Sequence, residues 1–539
     1  MKILKVSCYA LFLVLSSGAS ISAAGIDGDI SRLVEGSGFR SINGITVTPD
    51  GQLFTTSIGG ETIHKFDIAT GEMSAIVMPA AGRSDDIVVS SSGNLIWTDP
   101  RSGVVRRRDD SGAIREIVTG LRGVNSIAFA RDGKRLFVGQ TGTGDGLWEI
   151  DPEGIREPRL VAAKTGGVNA FSFGPDGKIY GPVTVHNKLV RIDPESGALE
   201  TLAEGFQHPV SVRFDKKDQL YAINGADGKL FRVDIATHSK ELVATVPPAV
   251  DNMSISPDGH AYLSNMADNA IIEVDLATGA TRTLTQSALA FPRDIDIART
   301  ELGDVLYVAD GTALRSVDAS TGKVSEIARR MTSALRFPSG VSVNSQHAVL
   351  VSEILSDTSR SFVQVVDLNT GDFLYELTGF EAPSDAVELS DGSVVVAEAL
   401  SGQLLQVDTK KRAILVEGLQ APSSLVLGEN NVLYVAESAA GRIASVGIES
   451  RAVSEVISGL GAIRAIAVAP DQTLIALISN GRLLAIDPKT RQSSVIAEHL
   501  AVGYLTQPYP RSGGLAVGRD GTIYVAADRE SAIYRITRP

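Results

Sequence analysis

Only one of the 539 residues is a cysteine, and that residue, Cys8, lies within the apolar stretch at the N-terminus. A chain processed after that stretch has no disulfide, no thiolate nucleophile and no cysteine metal ligand, so an oxidising compartment poses it no chemical problem. A second long apolar run is also missing. Residues 6–15 are apolar, preceded by Lys2 and Lys5 and followed by small residues through Ser22-Ala23-Ala24. This is the pattern of a cleaved export signal over residues 1–24, and the run is too short to span a bilayer. The expectation is a periplasmic or secreted protein, processed near Ala24, with no membrane span. Excess positive charge is absent too. The net charge is −13, about −15 once Lys2 and Lys5 leave with the signal, which argues against a nucleic-acid or anionic-membrane partner and reads chiefly as solubility. There is no nucleophile-elbow serine, no phosphate-binding glycine loop and no paired-histidine zinc motif. The run Gly142-Thr143-Gly144-Asp145-Gly146 follows a strand but opens no helix, so it is a loop and not a nucleotide cradle.

What the chain does contain is a repeat. Residues 250–285, VDNMSISPDGHAYLSNMADNAIIEVDLATGATRTLT, read as four short strands and three turns, with Pro257-Asp258-Gly259 and Ala277-Thr278-Gly279 supplying turn chemistry. Opening strands recur at Ile45, Ile87, Ile127, Phe171, Val212, Met253, Ile295, Val341, Val387, Leu425, Ile466 and Leu515, about 38 to 49 residues apart. Third strands commonly end in aspartate: Asp67, Asp151, Asp193, Asp234, Asp275, Asp318, Asp367, Asp408 and Asp487. A repeat of this length is one four-stranded blade, and blades bury their faces only by stacking around an axis.

Twelve blades exceed the usual four to eight of one ring. The fold expected is therefore all-β, two tandem six-bladed β-propellers over residues 25–278 and 279–539, with one large or open ring as the alternative. Each ring is expected to be closed by an N-terminal outer strand: residues 30–35 completing the blade begun at Asn252, and residues 281–285 completing the final blade. No flexible Gly/Ser linker separates the halves, so the two should abut rigidly.

Residues at the start of first strands surround the mouth of a propeller's central tunnel. In the first ring they are Asn43, Asp85, Asn125, Asn169, Val210 and Asp251. Converging carboxylate and amide oxygens suit a hard cation such as Ca2+, and without one Asp85 and Asp251 would repel each other. The second ring has Arg293, Ser339, Asp385, Ser423, Arg464 and Gly513, for which an Arg293-Asp385-Arg464 pairing, or capture of an anion by the arginines, is expected. Second-strand ends are mostly acidic in the later half (Asp310, Glu353, Glu398, Glu437, Asp528) and read as scaffold accepting loop N–H groups. In the earlier half they vary (Ser57, Asp99, Gln140, Val183, Asn224, Asn265), which suggests a specialised mouth. His186 is placed to overhang that mouth, His208 is a weaker candidate, and the loop 498–512, with Tyr504 and Tyr509, is expected over the second mouth.

The repeat and the ring of asparagine and aspartate resemble the superfamily of gluconolactonase, senescence marker protein and luciferin-regenerating enzyme, with paraoxonases and strictosidine synthase as more distant relatives. The repeats also resemble NHL and streptogramin-lyase propellers. Val250-Asp251-Asn252 followed by MSISP is similar to the paraoxonase segment holding a calcium-binding Asp-Asn pair, and Val168-Asn169 followed by AFSFGPDG to one holding another ligand asparagine. The resemblance implies metal ligands among Asp85, Asn169, Asp251, Asn252 and Asn43, with Asp251 as the catalytic base. Asn125, Gln140 and His186 are then the candidates for substrate contact. Val210 departs from the family pattern where a further ligand asparagine is expected, and Asn125 and Gln140 occupy the places of paraoxonase histidines. The activity implied is metal-dependent opening of a lactone or related ester. A non-catalytic exported propeller that binds a small ligand or a protein is the alternative, and a streptogramin-lyase-like C–O lyase ranks third.

Overall fold

The computed structural model describes residues 29–79, 81–354, 357–503 and 513–537. The segment 1–24 read as an export signal and the part of the loop 498–512 that carries Tyr504 and Tyr509 lie outside the described residues. The strands form twelve antiparallel four-stranded sheets, the all-β architecture expected from the repeat. In the first set of six, the inner strand of each blade packs against that of the next, and Val250–Ile255 packs back on Ile42–Val47. In the second set, Leu515–Val517 likewise packs back on Asp294–Thr300. No helix among the described residues is long and apolar enough to cross a membrane.

Local chemistry explains the period. Each recurring aspartate at a third-strand end folds its own turn, as where the Asp67 carboxylate accepts the N–H groups of Ala69 (2.9 Å) and Thr70 (2.8 Å). Apolar side chains from facing strands then meet between blades: Ile96 and Val105 of one pack with Val124, Ile127 and Val138 of the next. Burying each such side chain contributes roughly 1.5–3 kcal/mol.

The closing strands differ from expectation. Asp29–Val34 pairs with Ala532–Thr537, in register from Asp29 opposite Thr537 to Arg32 opposite Tyr534. It therefore completes the last blade of the second ring, not the blade begun at Asn252. Thr281–Thr285 stays in its own blade, paired with Ala270–Asp275. The reason is local. Gly279 takes a φ of +74°, its N–H reaches Asp275 O at 2.8 Å, and the resulting hairpin costs far less loop entropy than a swap across the ring. The final blade has only three strands of its own, and its open edge is covered by the N-terminal strand. The first ring thus spans 42–285, and the second spans 294–537 together with 29–34. In the first ring the junction of first and last blades is held by side chains: Asn269 Oδ1 accepts from Ile42 N (3.2 Å), and its Nδ2 donates to Phe39 O (2.9 Å).

Candidate functional site

A cavity of about 570 Å³ opens at the mouth of the first ring. All six expected ring residues line it, Asn43, Asp85, Asn125, Asn169, Val210 and Asp251. Strand alternation sorts consecutive residues between two layers. Asp85 and Asp251 face the cavity, whereas their neighbours Asp86 and Asn252 form a polar plug below it. Asp86 accepts from Ile87 N (2.9 Å), Ile127 N (3.2 Å) and Asn252 Nδ2 (3.0 Å). Asn252 Oδ1 accepts from Met253 N (2.9 Å) and Arg213 Nη2 (3.1 Å). Asn252 is therefore not a metal ligand, because both ends of its amide are committed within the plug. The sequence reading overlooked Asp86 and Arg213, although a second carboxylate beside Asp85 was a signal that one of the pair points elsewhere.

Burial, then the charge of Asp251, drives the Asp85 carboxyl well above the usual carboxylate range, and a side-chain hydrogen bond from Asn125 opposes this. Burial likewise raises Asp251 to about 6, against the attraction of Arg330. Among the described residues Asn43 Oδ1 and Asn125 Oδ1 are buried with no hydrogen-bond partner, and Asn169 Oδ1 accepts from its neighbour Ala170 N at 2.9 Å. Among the described residues no three His, Cys, Asp or Glu side chains cluster as a metal site, so a cation here has to draw on amide oxygens. Two repelling carboxylates and two orphaned amide oxygens make a donor set that fits a hard cation.

Other expected contacts resolve differently. His186 stands exposed at the rim, in the short helical turn Thr184–His186. His208 also lines the cavity, where burial and the nearby Arg330 lower its imidazole to about 4. Gln140 is not among the lining residues. Its Nε2 donates to Arg122 O (2.8 Å) and its Oε1 accepts from Trp148 Nε1 (2.7 Å), so it braces a loop. Ser57 and Asn265 do similar work, bonding Arg40 N (2.8 Å) and Pro248 O (2.8 Å). Asp99 is also scaffold, accepting from Ser102 N (3.1 Å) and Arg106 Nη1 (3.0 Å), so these four second-strand ends brace loops and do not form a specialised mouth. Of their acidic counterparts the Glu353 side chain lies outside the described residues, and the others act as expected: Asp310 accepts from Phe291 N (2.6 Å), Glu398 from Glu381 N (3.2 Å), Glu437 from Gln420 N (2.7 Å) and Asp528 from Gly503 N (2.9 Å).

The Arg293-Asp385-Arg464 pairing does not form. Both Asp385 oxygens are taken by backbone N–H groups, of Ala386 and Leu425 at 2.8 Å each, and Arg464 Nη2 bonds Asp528 at 2.8 Å. Asp385 lines a second cavity of about 380 Å³ in the later ring. Arg293 instead lines the first cavity, its guanidinium 5.5 Å from the centre of the Phe291 ring.

No local pattern announces that the second ring and the connector leading into it roof the first ring's site. Phe291, Arg293, Thr312, Arg330, Met331 and Phe337 all line the cavity. Phe291 fits because Gly59 has no side chain: a Cβ there would meet the Phe291 ring at 2.7 Å. The rings are joined beside the site by Asp268, which accepts from Arg329 Nη1 (2.9 Å), Arg329 Nη2 (2.8 Å) and Arg315 Nη2 (3.1 Å).

No protein-family model matches the chain, and no curated protein matches it. Among solved structures it is similar to a protein whose gluconolactonase assignment is itself provisional, at 17% identity and a TM-score of 0.38, over 49% of this chain and 95% of that one. It is similar to a chain of a nidogen/laminin complex at 19% identity and a TM-score of 0.36, over 40% and 84%. A third match is the extracellular domain of a provisionally assigned one-component system from B. thetaiotaomicron, at 12% identity and a TM-score of 0.33, over 94% of this chain and 82% of that one. The propeller architecture rests on the strand pairing, and no activity is taken from these likenesses.

Proposed function

We propose that the protein is an exported hydrolase that opens a lactone or related ester in the cavity at the mouth of the first ring. The observation that carries this reading is the enclosed pair Asp85 and Asp251, both lining one cavity, where a carboxylate within reach of a bound water can act as general base. Asp251 would take a proton from a water molecule as that water adds to the substrate carbonyl carbon. It would then return the proton to the ring oxygen as the C–O bond breaks. His186 stands at the entrance, where it would meet incoming substrate. Asp85, Asp251 and the amide oxygens of Asn43, Asn125 and Asn169 would hold a divalent cation such as Ca2+, whose chemistry is to polarise a carbonyl.

A panel of γ- and δ-lactones assayed with the mature protein tests this. Turnover should fall by roughly 10²–10⁴-fold in Asp251→Asn, with the melting temperature kept or raised because a repelling buried charge is gone. Turnover unchanged in that variant would rule out Asp251 as the base. N-terminal sequencing of exported protein should begin at Gly25. The second reading, a non-catalytic binder of a small ligand or protein, is favoured by one feature: Arg330 already supplies the positive charge that a cation would bring. A folded, metal-free protein inert towards every lactone would support it.

A further inference from the structure

Arg330 projects from the second ring into the first ring's cavity. It sits at the tip of a tight turn whose base is fixed on all sides. Arg329 Nη1 is bonded to Pro248 O (2.7 Å), and Asp268 accepts from both its terminal nitrogens. Arg330 N donates to Thr312 O (2.9 Å), Ser333 N to Arg329 O (3.1 Å), and Ser333 Oγ to the same carbonyl (2.7 Å). Met331, next in the chain, is held at a φ of +74°, a left-handed conformation that costs a non-glycine residue about 1–3 kcal/mol and clusters at functional sites. It presses on the first ring at Gly225, where an added Cβ would lie 2.8 Å from the Met331 sulfur.

The side chain this turn presents is unused. Its guanidinium lies over the Phe337 ring, 4.2 Å from the centroid. It has no hydrogen-bond acceptor and no ion-pair partner within 4.0 Å among the described residues. A guanidinium offers five N–H donors in a planar fork matched to a carboxylate. Asp85 and Asp251 feel its charge without touching it, which leaves a gap between the fork and the two aspartates.

Resting on the hydrolase reading above, we infer that this gap takes a substrate bearing a free carboxylate. Arg330 grips that carboxylate in a bidentate fashion while the scissile carbonyl lies towards Asp251. The acid anchor belongs to one ring and the reacting groups to the other, so the site is complete only when both are docked. Arg330 is a specificity residue remote from the reacting bond, and its contribution is uniform binding, which appears in KM and not in kcat.

The probes are γ-butyrolactone and 5-oxotetrahydrofuran-2-carboxylate, the same ring with an added carboxylate, together with the non-hydrolysable tetrahydrofuran-2-carboxylate for calorimetry. The native protein should favour the acidic lactone by about 10–100-fold in kcat/KM, the range of a charge-assisted bidentate contact. Arg330→Met should collapse that preference through KM, and Arg330→Lys should restore part of it, with melting curves confirming that both variants fold. Calorimetry should register the non-hydrolysable acid with the native protein and with Asp251→Asn, and lose it with Arg330→Met. Equal handling of both lactones, or acid binding undiminished in Arg330→Met, overturns the anchor and leaves the hydrolase reading intact. Acid binding that depends on Arg330 without turnover of either lactone supports the anchor and overturns the hydrolase reading.

Discussion

Buried carboxylates in this protein do two different jobs, and Asp385 illustrates the structural one. Its oxygens accept N–H groups from its own blade and from the next, tying neighbouring blades together at the axis. Burial raises its carboxyl from 3.8 to about 7. Between those values the folded chain holds a proton that the unfolded chain has released, so stability is greatest at the acid end and is lost as pH rises through about 7. Asp385→Asn should therefore flatten the decline in urea midpoint between pH 5 and pH 8. An equal decline in the variant would assign that pH dependence to other groups. Asp294 forms a comparable tie, accepting from Ile295 N (2.9 Å) and Val341 N (3.0 Å).

Among the elements, the strand Asp29–Val34 carries the most consequence for its size. It is the fourth strand of the last blade, and Val34 joins Leu289, Ile295 and Ile533 in one apolar cluster. Deleting residues 29–34 would expose the edge of Ala532–Thr537 and weaken the second ring while leaving the first ring's sheets whole. The two tryptophans, Trp97 and Trp148, both lie in the first ring, so fluorescence follows that ring and far-UV circular dichroism follows both. In urea the deletion variant should show an early circular-dichroism transition without a matching change in emission. Coincident transitions would mean that the rings unfold as one unit despite the lost strand.

For the whole molecule, the decisive feature is that the second ring supplies the roof of the first ring's site. Asp268 joins them, with a side chain 21% exposed against Arg315 and Arg329 at 8% and 10%. Removing one partner of a mostly buried pair leaves charges uncompensated, so Asp268→Ala should cost about 1–3 kcal/mol, below the fully buried figure because of that exposure. It should also release the turn carrying Arg330, weakening binding of tetrahydrofuran-2-carboxylate in proportion. Unchanged affinity at reduced stability would show that the turn holds its shape without the bridge.

The twelve blades, the starts of their inner strands and the six residues around the first mouth could be read from the sequence, because strand alternation and turn chemistry act over a few residues and repeat. Asp85, Asn125, Asn169 and Asp251 fell on the cavity for that reason. Which neighbour in Asp85-Asp86 or Asp251-Asn252 faces the cavity depends on the partners below it, and Asn252 was misplaced. The pairing of Asp29–Val34 with Ala532–Thr537, and the entry of Arg330 into a site built by another ring, join residues hundreds of positions apart. No local pattern encodes such contacts; they follow from which open edge and which surface remain once the blades have stacked.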